Sequence, residues 1–399
     1  MEQIRLGVAG LGRAFMLMLP TLVQHPRVRL VAATDPRADA LDRFRADFAG
    51  ARTHPSVEAL CDDPAIDAVY ISTPHQFHLA HVQAAAARRK HVLVEKPMAL
   101  NLAEAQAMVE AARAAGIHLL VGHSHSFDAP YLRARDLIRS GSYGALRMIT
   151  ALNFTDYLYR PRRPEELDTA QGGGAVFSQA PHQVEIARLL ADHPARSVRA
   201  STSVWDRARG TEGAYAAFLD FGEGLTAALT YSGHGHFDSD AFMGWTGEMG
   251  FRRDPDRHGE ARAALARLAS PAEEAALKSR RAYGAALGAE EARGAPPPSA
   301  HNHFGLFIAS CEGADLRPMP DGVMIHGDAE RRFETLPPPA VARAEVIDEL
   351  WEAIALGRAP WHSGASGMAT LEICLGILDS ARQGREIPLH HQGVPATCR

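Results

Sequence analysis

Residues 157–166 read YLYRPRRPEE and place Arg160, Arg162 and Arg163 within four positions. Guanidinium groups at that density suit two-point grips on carboxylates. Pro161 and Pro164 stiffen the loop, so less freedom is lost on binding, and tyrosines such as Tyr159 offer flat faces for a ring. The competing reading is a solvated basic loop paired with Glu165, Glu166 and Asp168. A second chemical signal is Gly10-Leu11-Gly12-Arg13-Ala14-Phe15. The first glycine permits a tight turn, and the second lets the backbone approach a pyrophosphate seated on a helix N-terminus. Phe15 stands where a third small residue is usual. Asp35 closes the next apolar stretch; a carboxylate there accepts the ribose hydroxyls and repels a 2′-phosphate. NAD is therefore the expected cofactor, with NADP the alternative because Arg37 could cradle a phosphate. Glu95-Lys96-Pro97 follows another apolar stretch, at the end that faces the ligand crevice in an open α/β sheet. Desolvated there, Lys96 would have a lowered pKa and could serve as a base. His123 and His125 end the following apolar stretch on the same side, placed for contact with substrate or nicotinamide. With His182 they also suggest a metal, but no acidic ligand accompanies them and no metal is expected. His301 and His303 form a second such pair, read as part of a solvated loop.

These groups need elements to hold them. Residues 4–9, 28–35, 65–73, 90–97 and 117–124 read as buried strands, with Ala-rich helical stretches such as 79–89 and 101–115 between them. That alternation predicts an α/β fold with a doubly wound parallel sheet in an N-terminal NAD-binding domain, residues 1–125. Residues 126–399 change texture. LRMITALNF, RSVRASTSVWD, GAYAAFLDF and LTAALTYSG predict an antiparallel sheet in a second domain. Residues 240–300 interrupt it as a helical insertion with a proline-rich exit. The helix within ATLEICLGILDSARQGREIPL is expected to pack back on the sheet or the first domain. A chain of 399 residues is long for one core, so two domains fit. No apolar run reaches the roughly 18 residues of a membrane span. The N-terminus carries a glycine turn where a secretory leader would have a basic then apolar stretch. Four scattered cysteines without a CxxC pair and a net charge of −5 suit a reducing cytoplasm and give no reason to expect nucleic acid.

The run STPHQFHLAHVQAAAARRKHVLVEKPMAL resembles the Gfo/Idh/MocA oxidoreductase family, through Thr73-Pro74, His78, Lys90-His91-Val92 and Glu95-Lys96-Pro97. The resemblance implies a Rossmann domain followed by an α/β domain for substrate and oligomerisation, whose large, mainly antiparallel open sheet forms an oligomer interface. It also implies cofactor contacts from Thr73, Pro74, His78, Glu95 and Lys96, and hydride transfer from a hydroxyl-bearing carbon to nicotinamide. In GGGAVFSQAPHQVEIARLL the catalytic histidine of the family falls on His182. Its usual aspartate is Ser178 here, a hydrogen-bonding group in the substrate site that cannot hold charge. Lys96 and His182 thus remain as alternative proton acceptors, and Glu185 either orients His182 or lies on the surface. The longer pattern GHSHSFDAPYLR, TDYLYRPRRPEEL and GGGAVFSQAPHQV is similar to a subgroup that oxidises phthalate 4,5-cis-dihydrodiol to 4,5-dihydroxyphthalate. A sugar or inositol dehydrogenase, or a non-catalytic dinucleotide sensor, are the other readings.

Overall fold

The computed structural model describes residues 1–122, 124–284 and 288–393; His123 and Cys398 lie outside the described residues. The first sheet is built from β1 (Ile4–Ala9), β2 (Val28–Thr34), β3 (Arg52–Thr53), β4 (Ala68–Ile71), β5 (His91–Val94) and β6 (Leu119–Val121). All pairs are parallel, in the order β3-β2-β1-β4-β5-β6. The order reverses between β1 and β4, which opens the ligand crevice above the residues that follow them, Gly10 and Ser72. The crossovers are α1 (Arg13–Gln24), α2 (Ala38–Asp47), α3 (Val57–Asp62), α4 (His78–Ala87) and α5 (Leu102–Ala115). Local chemistry sets their ends: the Asn101 side chain accepts from the Glu104 N–H at the start of α5, and left-handed Gly116 stops it.

Helix α6 (Ala129–Arg139) leads into β7 (Leu146–Phe154), after which α7 (Gly174–Ser178) and α8 (Ala180–Ala191) cross the molecule. The second sheet adds β8 (Ser197–Ser203), β9 (Ala214–Gly222), β10 (Leu225–Ser232), β11 (Leu306–Cys311), β12 (Ala314–Met319), β13 (Gly322–Gly327), β14 (Arg331–Thr335) and, at the far end, β15 (Ile387–Pro388). Its nine strands run β14-β13-β12-β11-β7-β10-β9-β8-β15, antiparallel except where β7 meets β10. Every residue of α8 is buried, so this helix is packed all round.

The insertion between β10 and β11 holds three short helices, α9 (Glu260–Leu265), α10 (Pro271–Ser279) and α11 (Ala289–Gly294). It is pinned to the second domain by a buried pair of hydrogen bonds from Arg209 to Glu274, both 2.8 Å. It then reaches the first domain. The fully buried Tyr283 ring packs on Phe15 at 5.2 Å, its hydroxyl donates to Asp47 at 2.6 Å, and its N–H donates to the Leu11 carbonyl at 3.2 Å. This explains Phe15, which fills an aromatic cluster with Tyr283 and Phe44. After α12 (Ala344–Leu356), the twenty-residue α13 (Gly364–Gln383) packs on both domains. A Cβ at Gly367 would come within 2.5 Å of Val121 in the first sheet, so glycine permits that approach. No helix among the described residues is long and apolar enough to cross a membrane.

Candidate active site

The crevice begins at the glycine turn. Gly10 has φ +91°, and a Cβ there would sit 3.0 Å from the Ser72 carbonyl oxygen. Nothing lies within 4 Å of a Cβ built on Gly12, the N-cap residue just before α1. Arg13 and Ala14 form the first turn, which holds no acid. Burial and the nearby Arg281 and Arg160 pull the Arg13 guanidinium below its usual pKa. Three cations from separate segments therefore crowd one helix N-terminus, an arrangement that fits a pyrophosphate. Asp35 is already engaged: one oxygen accepts the Leu11 N–H at 2.7 Å, the other the Arg37 N–H and Nε at 2.9 and 3.0 Å. Arg37 also donates to the carbonyls of Leu11 and Tyr283. Asp35 thus braces the turn, and its pairing with Arg37 weakens the charge that would repel a 2′-phosphate.

Thr73 and Pro74 lead from β4 into a short turn at the crevice, where the Thr73 hydroxyl lies 3.0 Å from His81 Nδ1. His78 departs from the expected cofactor contact. It is fully buried, and its ring nitrogens face the carbonyls of Thr73 and Met98 at 2.9 and 3.1 Å. With no surface to offer, it ties the Thr73 loop to the Lys96 loop. Glu95 is likewise buried and accepts the Tyr70 hydroxyl. Lys96 Nζ donates to the Ser178 carbonyl at 2.9 Å. Burial lowers its pKa, with Glu95 opposing and Arg162 adding to the shift. The neighbouring His75, unremarked in the sequence, is pushed down to about 3 by burial, with His78 and Lys96 adding to it.

The second domain supplies the opposite wall. His182, 6 % exposed in the first turn of α8, meets the His125 ring edge-on at 4.9 Å and Phe304 at 4.8 Å. His125 Nδ1 lies 2.8 Å from Asp128 Oδ2, and the other Asp128 oxygen accepts from Asn302 at 3.4 Å. Ser178 ends α7 near Tyr157, whose hydroxyl donates to the Gly174 carbonyl at 3.2 Å. Glu185 is buried and accepts from Ser126 at 3.2 Å, so the surface reading of it is wrong.

The arginine loop divides. Arg163 is 42 % exposed at its side chain and pairs with Glu165 at 2.9 Å, as the solvated-loop reading holds. Arg160 pairs with Asp156 at 2.7 Å and Glu248 at 3.6 Å. Burial pulls its pKa down, but those carboxylates outweigh it and hold the value above normal. Arg162 lies 3.7 Å over the Tyr157 ring and donates to the Tyr157 carbonyl at 2.8 Å. Tyr159 turns elsewhere: its hydroxyl donates to Asp206 at 3.0 Å under Arg262, beside exposed Trp205. The tyrosine with Ser178 is Tyr157.

Sequence reading missed Glu248. It lies in the insertion, beyond any motif, yet receives Arg160 and a 3.4 Å hydrogen bond from Asn153. Burial pushes its carboxyl up, and Arg160, His125 and His303 hold it below the usual range. The His301–His303 pair is also buried rather than solvated, with His303 Nε2 2.7 Å from the Thr246 carbonyl. Its histidine spacing was the available signal.

Residues 4–123 match the oxidoreductase family with the NAD-binding Rossmann fold, and residues 131–250 match the GFO/IDH/MocA C-terminal domain. The chain belongs to the Gfo/Idh/MocA family. Among its relatives is the 1-carboxy-3-chloro-3,4-dihydroxycyclohexa-1,5-diene dehydrogenase of Comamonas testosteroni, 46% identical over 380 residues and covering 95% of each chain. A dehydrogenase structure from Bordetella bronchiseptica RB50 aligns with TM-score 0.90 and 39% identity, over 97% of this chain and 100% of that one. The myo-inositol 2-dehydrogenase of Thermotoga maritima is 28% identical over 50% of this chain and 59% of its own. This Gfo/Idh/MocA protein is thus an NAD-dependent dehydrogenase, and the glycine turn and the cationic start of α1 are where its cofactor fits.

Proposed function

We propose that the chain oxidises a ring-carboxylated cyclohexadiene cis-diol to the corresponding catechol, phthalate 4,5-cis-dihydrodiol being the first candidate. The observation that carries this reading is the 46% identity, over 95% of both chains, to an enzyme named for a carboxylated cyclohexadiene diol. The site supports it. Arg162, its side chain 12 % exposed, with one face on Tyr157, beside Lys96 and only loosely paired with Glu166 at 4.0 Å, suits a carboxylate on a flat ring. Arg160 is shared with Asp156 and Glu248 and leaves less charge for a second carboxylate. Gly10, Gly12, Arg13 and Ala14 would hold the dinucleotide phosphates, Asp35 the ribose, and the Thr73-Pro74 and Glu95-Lys96 loops the nicotinamide end. NAD, when bound, supplies the hydride acceptor. Lys96 and His182 flank the carbinol and hydrogen-bond its oxygen, while a base beside them takes the hydroxyl proton. The ketone formed tautomerises to a catechol, and aromatisation favours that direction.

The open face of the second sheet is read as the seat of a second copy of this chain. Phe218, Ala228, Thr150 and Ile308 pair in a row across β9, β10, β7 and β11 on the side away from the helices. Phe218 and Met148 are 48% and 47% exposed there.

NADH appearance tests the function with phthalate 4,5-cis-dihydrodiol, a monocarboxylated cis-diol, myo-inositol and glucose, each with NAD and NADP. Turnover confined to carboxylated diols is expected. Turnover on the polyols alone overturns the substrate class, and dinucleotide binding without any turnover favours a sensor.

A further inference from the structure

In this family resemblance, position 178 should carry an acid, and Ser178 cannot supply one. The structure places a carboxylate on the site by another route. His125 and Asp128 lie in the turn between β6 and α6, and the 2.8 Å contact between His125 Nδ1 and Asp128 Oδ2 is made with both side chains under 8% exposed. A carboxylate accepts only, so the shared proton lies on Nδ1 and leaves Nε2 as the acceptor. The remaining Asp128 oxygen takes Asn302, which fixes the carboxylate. The imidazole is held between the edge of His182 at 4.9 Å and Phe304 at 5.1 Å. Among the described residues, Glu248 and His303 from the insertion and its exit also act on it electrostatically, and Tyr131 lies beside Asp128.

We propose that His125, aligned by Asp128, is the proton acceptor that replaces the missing acid at position 178. The step balances. The carbinol C–H bond breaks and its electron pair goes as hydride to nicotinamide C4. The hydroxyl O–H proton goes to His125 Nε2, and the carbinol becomes a carbonyl. Asp128 stabilises the imidazolium so formed, which then gives its proton to the carbonyl oxygen as the adjacent ring carbon releases its own proton to water, so that one hydride and one proton leave per diol oxidised. His125 is the catalytic residue here, and Asp128 is a positioning residue. The inference rests on the reaction proposed above, since it needs a hydroxyl-bearing substrate.

Two arms test it. In turnover on a carboxylated cis-diol, His125→Ala should lower kcat by about 10²-fold or more with KM changed less than threefold, and added imidazole should restore part of the rate. Asp128→Asn should lower kcat by about tenfold, and Asp128→Glu should recover most of the loss. A kcat within threefold of wild type for His125→Ala, or a loss confined to KM, overturns the proposal. The second arm needs no substrate. Nitrogen NMR of histidine side chains in the free protein should show His125 protonated at Nδ1, and as a mixture of tautomers in Asp128→Asn. A His125 protonated at Nε2 in the wild-type chain overturns the dyad even if no diol is turned over. A correct tautomer without diol turnover keeps the dyad's geometry and removes its assigned role together with the proposed substrate.

Discussion

Lys96 sits on one hydrogen bond to the Ser178 carbonyl in surroundings that disfavour its charge. Lys96→Met keeps the volume and removes the amine. It should lower kcat on the true substrate by about 10³-fold with NAD affinity within threefold, measured by steady-state rates and fluorescence titration. A rate within tenfold of wild type would remove Lys96 from the chemistry. Asp240 makes a different prediction. Burial, with Glu248 and Asp238 nearby, raises its carboxyl to about 7, although Arg253 donates to it at 2.8 Å. The unfolded value is about 3.9. Between those pH values the folded chain binds a proton that the unfolded chain releases. Its contribution to stability is therefore present below about pH 4 and lost as pH rises through about 7, by up to roughly 1.4 kcal/mol per pH unit. Urea unfolding from pH 5 to 7 should show this slope in wild type and lose it in Asp240→Asn; identical slopes would refute it. At this scale the sequence was partly legible. Lys96 and the glycines sit at strand ends, where type and position suffice. Glu248 gains its role from Arg160 and Asn153, far along the chain, which no local pattern shows; Asp128 and Asp240 act with nearby His125 and Arg253, but only burial in the fold gives those contacts weight.

Among the elements, five of the six strands of the first sheet were legible because each is a short apolar run bounded by turns; the two-residue β3, Arg52–Thr53, has no such run and was not expected. The insertion was legible only as helical. Its helices are too short for a clear period, and its purpose depends on where it lands. It lands on the cofactor turn: Tyr283 fills the gap between Phe15 and Phe44 and donates its N–H to Leu11. The unusual Phe15 and the insertion are one packing solution read from two distant places. Tyr283→Ala should cost about 3–5 kcal/mol of stability by leaving a cavity against two rings. Because Leu11 also binds Asp35 and Arg37, the variant should weaken NAD binding several-fold. Urea unfolding and NAD titration check both effects, and unchanged NAD affinity in a destabilised variant would confine Tyr283 to packing.

The whole molecule places its chemistry between two sheets that share α8 and α13 as packing. The parallel first sheet and mainly antiparallel second were both expected from alternation, but the nine-strand order was not. Pairing of β7 with both β10 and β11 joins segments that only tertiary contact can bring together. The helices cover one face of the second sheet, where Ile149, Ala151, Ala227 and Leu229 are buried. The other face carries Phe218 and Met148 about half exposed among threonines and alanines, with charge from Arg199 beside Phe218 and from Asp315 and Arg317 on β12. A sheet face with exposed apolar side chains at its centre and charges of both signs around them suits a self-complementary interface, in which each residue meets its own symmetry-related region. Introducing like charges at such a centre costs several kcal/mol and leaves the fold intact, because these side chains already face outward. Phe218→Glu combined with Met148→Glu should therefore shift the chain to a species of half the mass or less by sedimentation, with its far-UV dichroism unchanged. Because Lys96, His125 and His182 lie on the helix side of that sheet, turnover per chain should fall by no more than severalfold. A wild-type chain that sediments as a monomer would refute the interface outright.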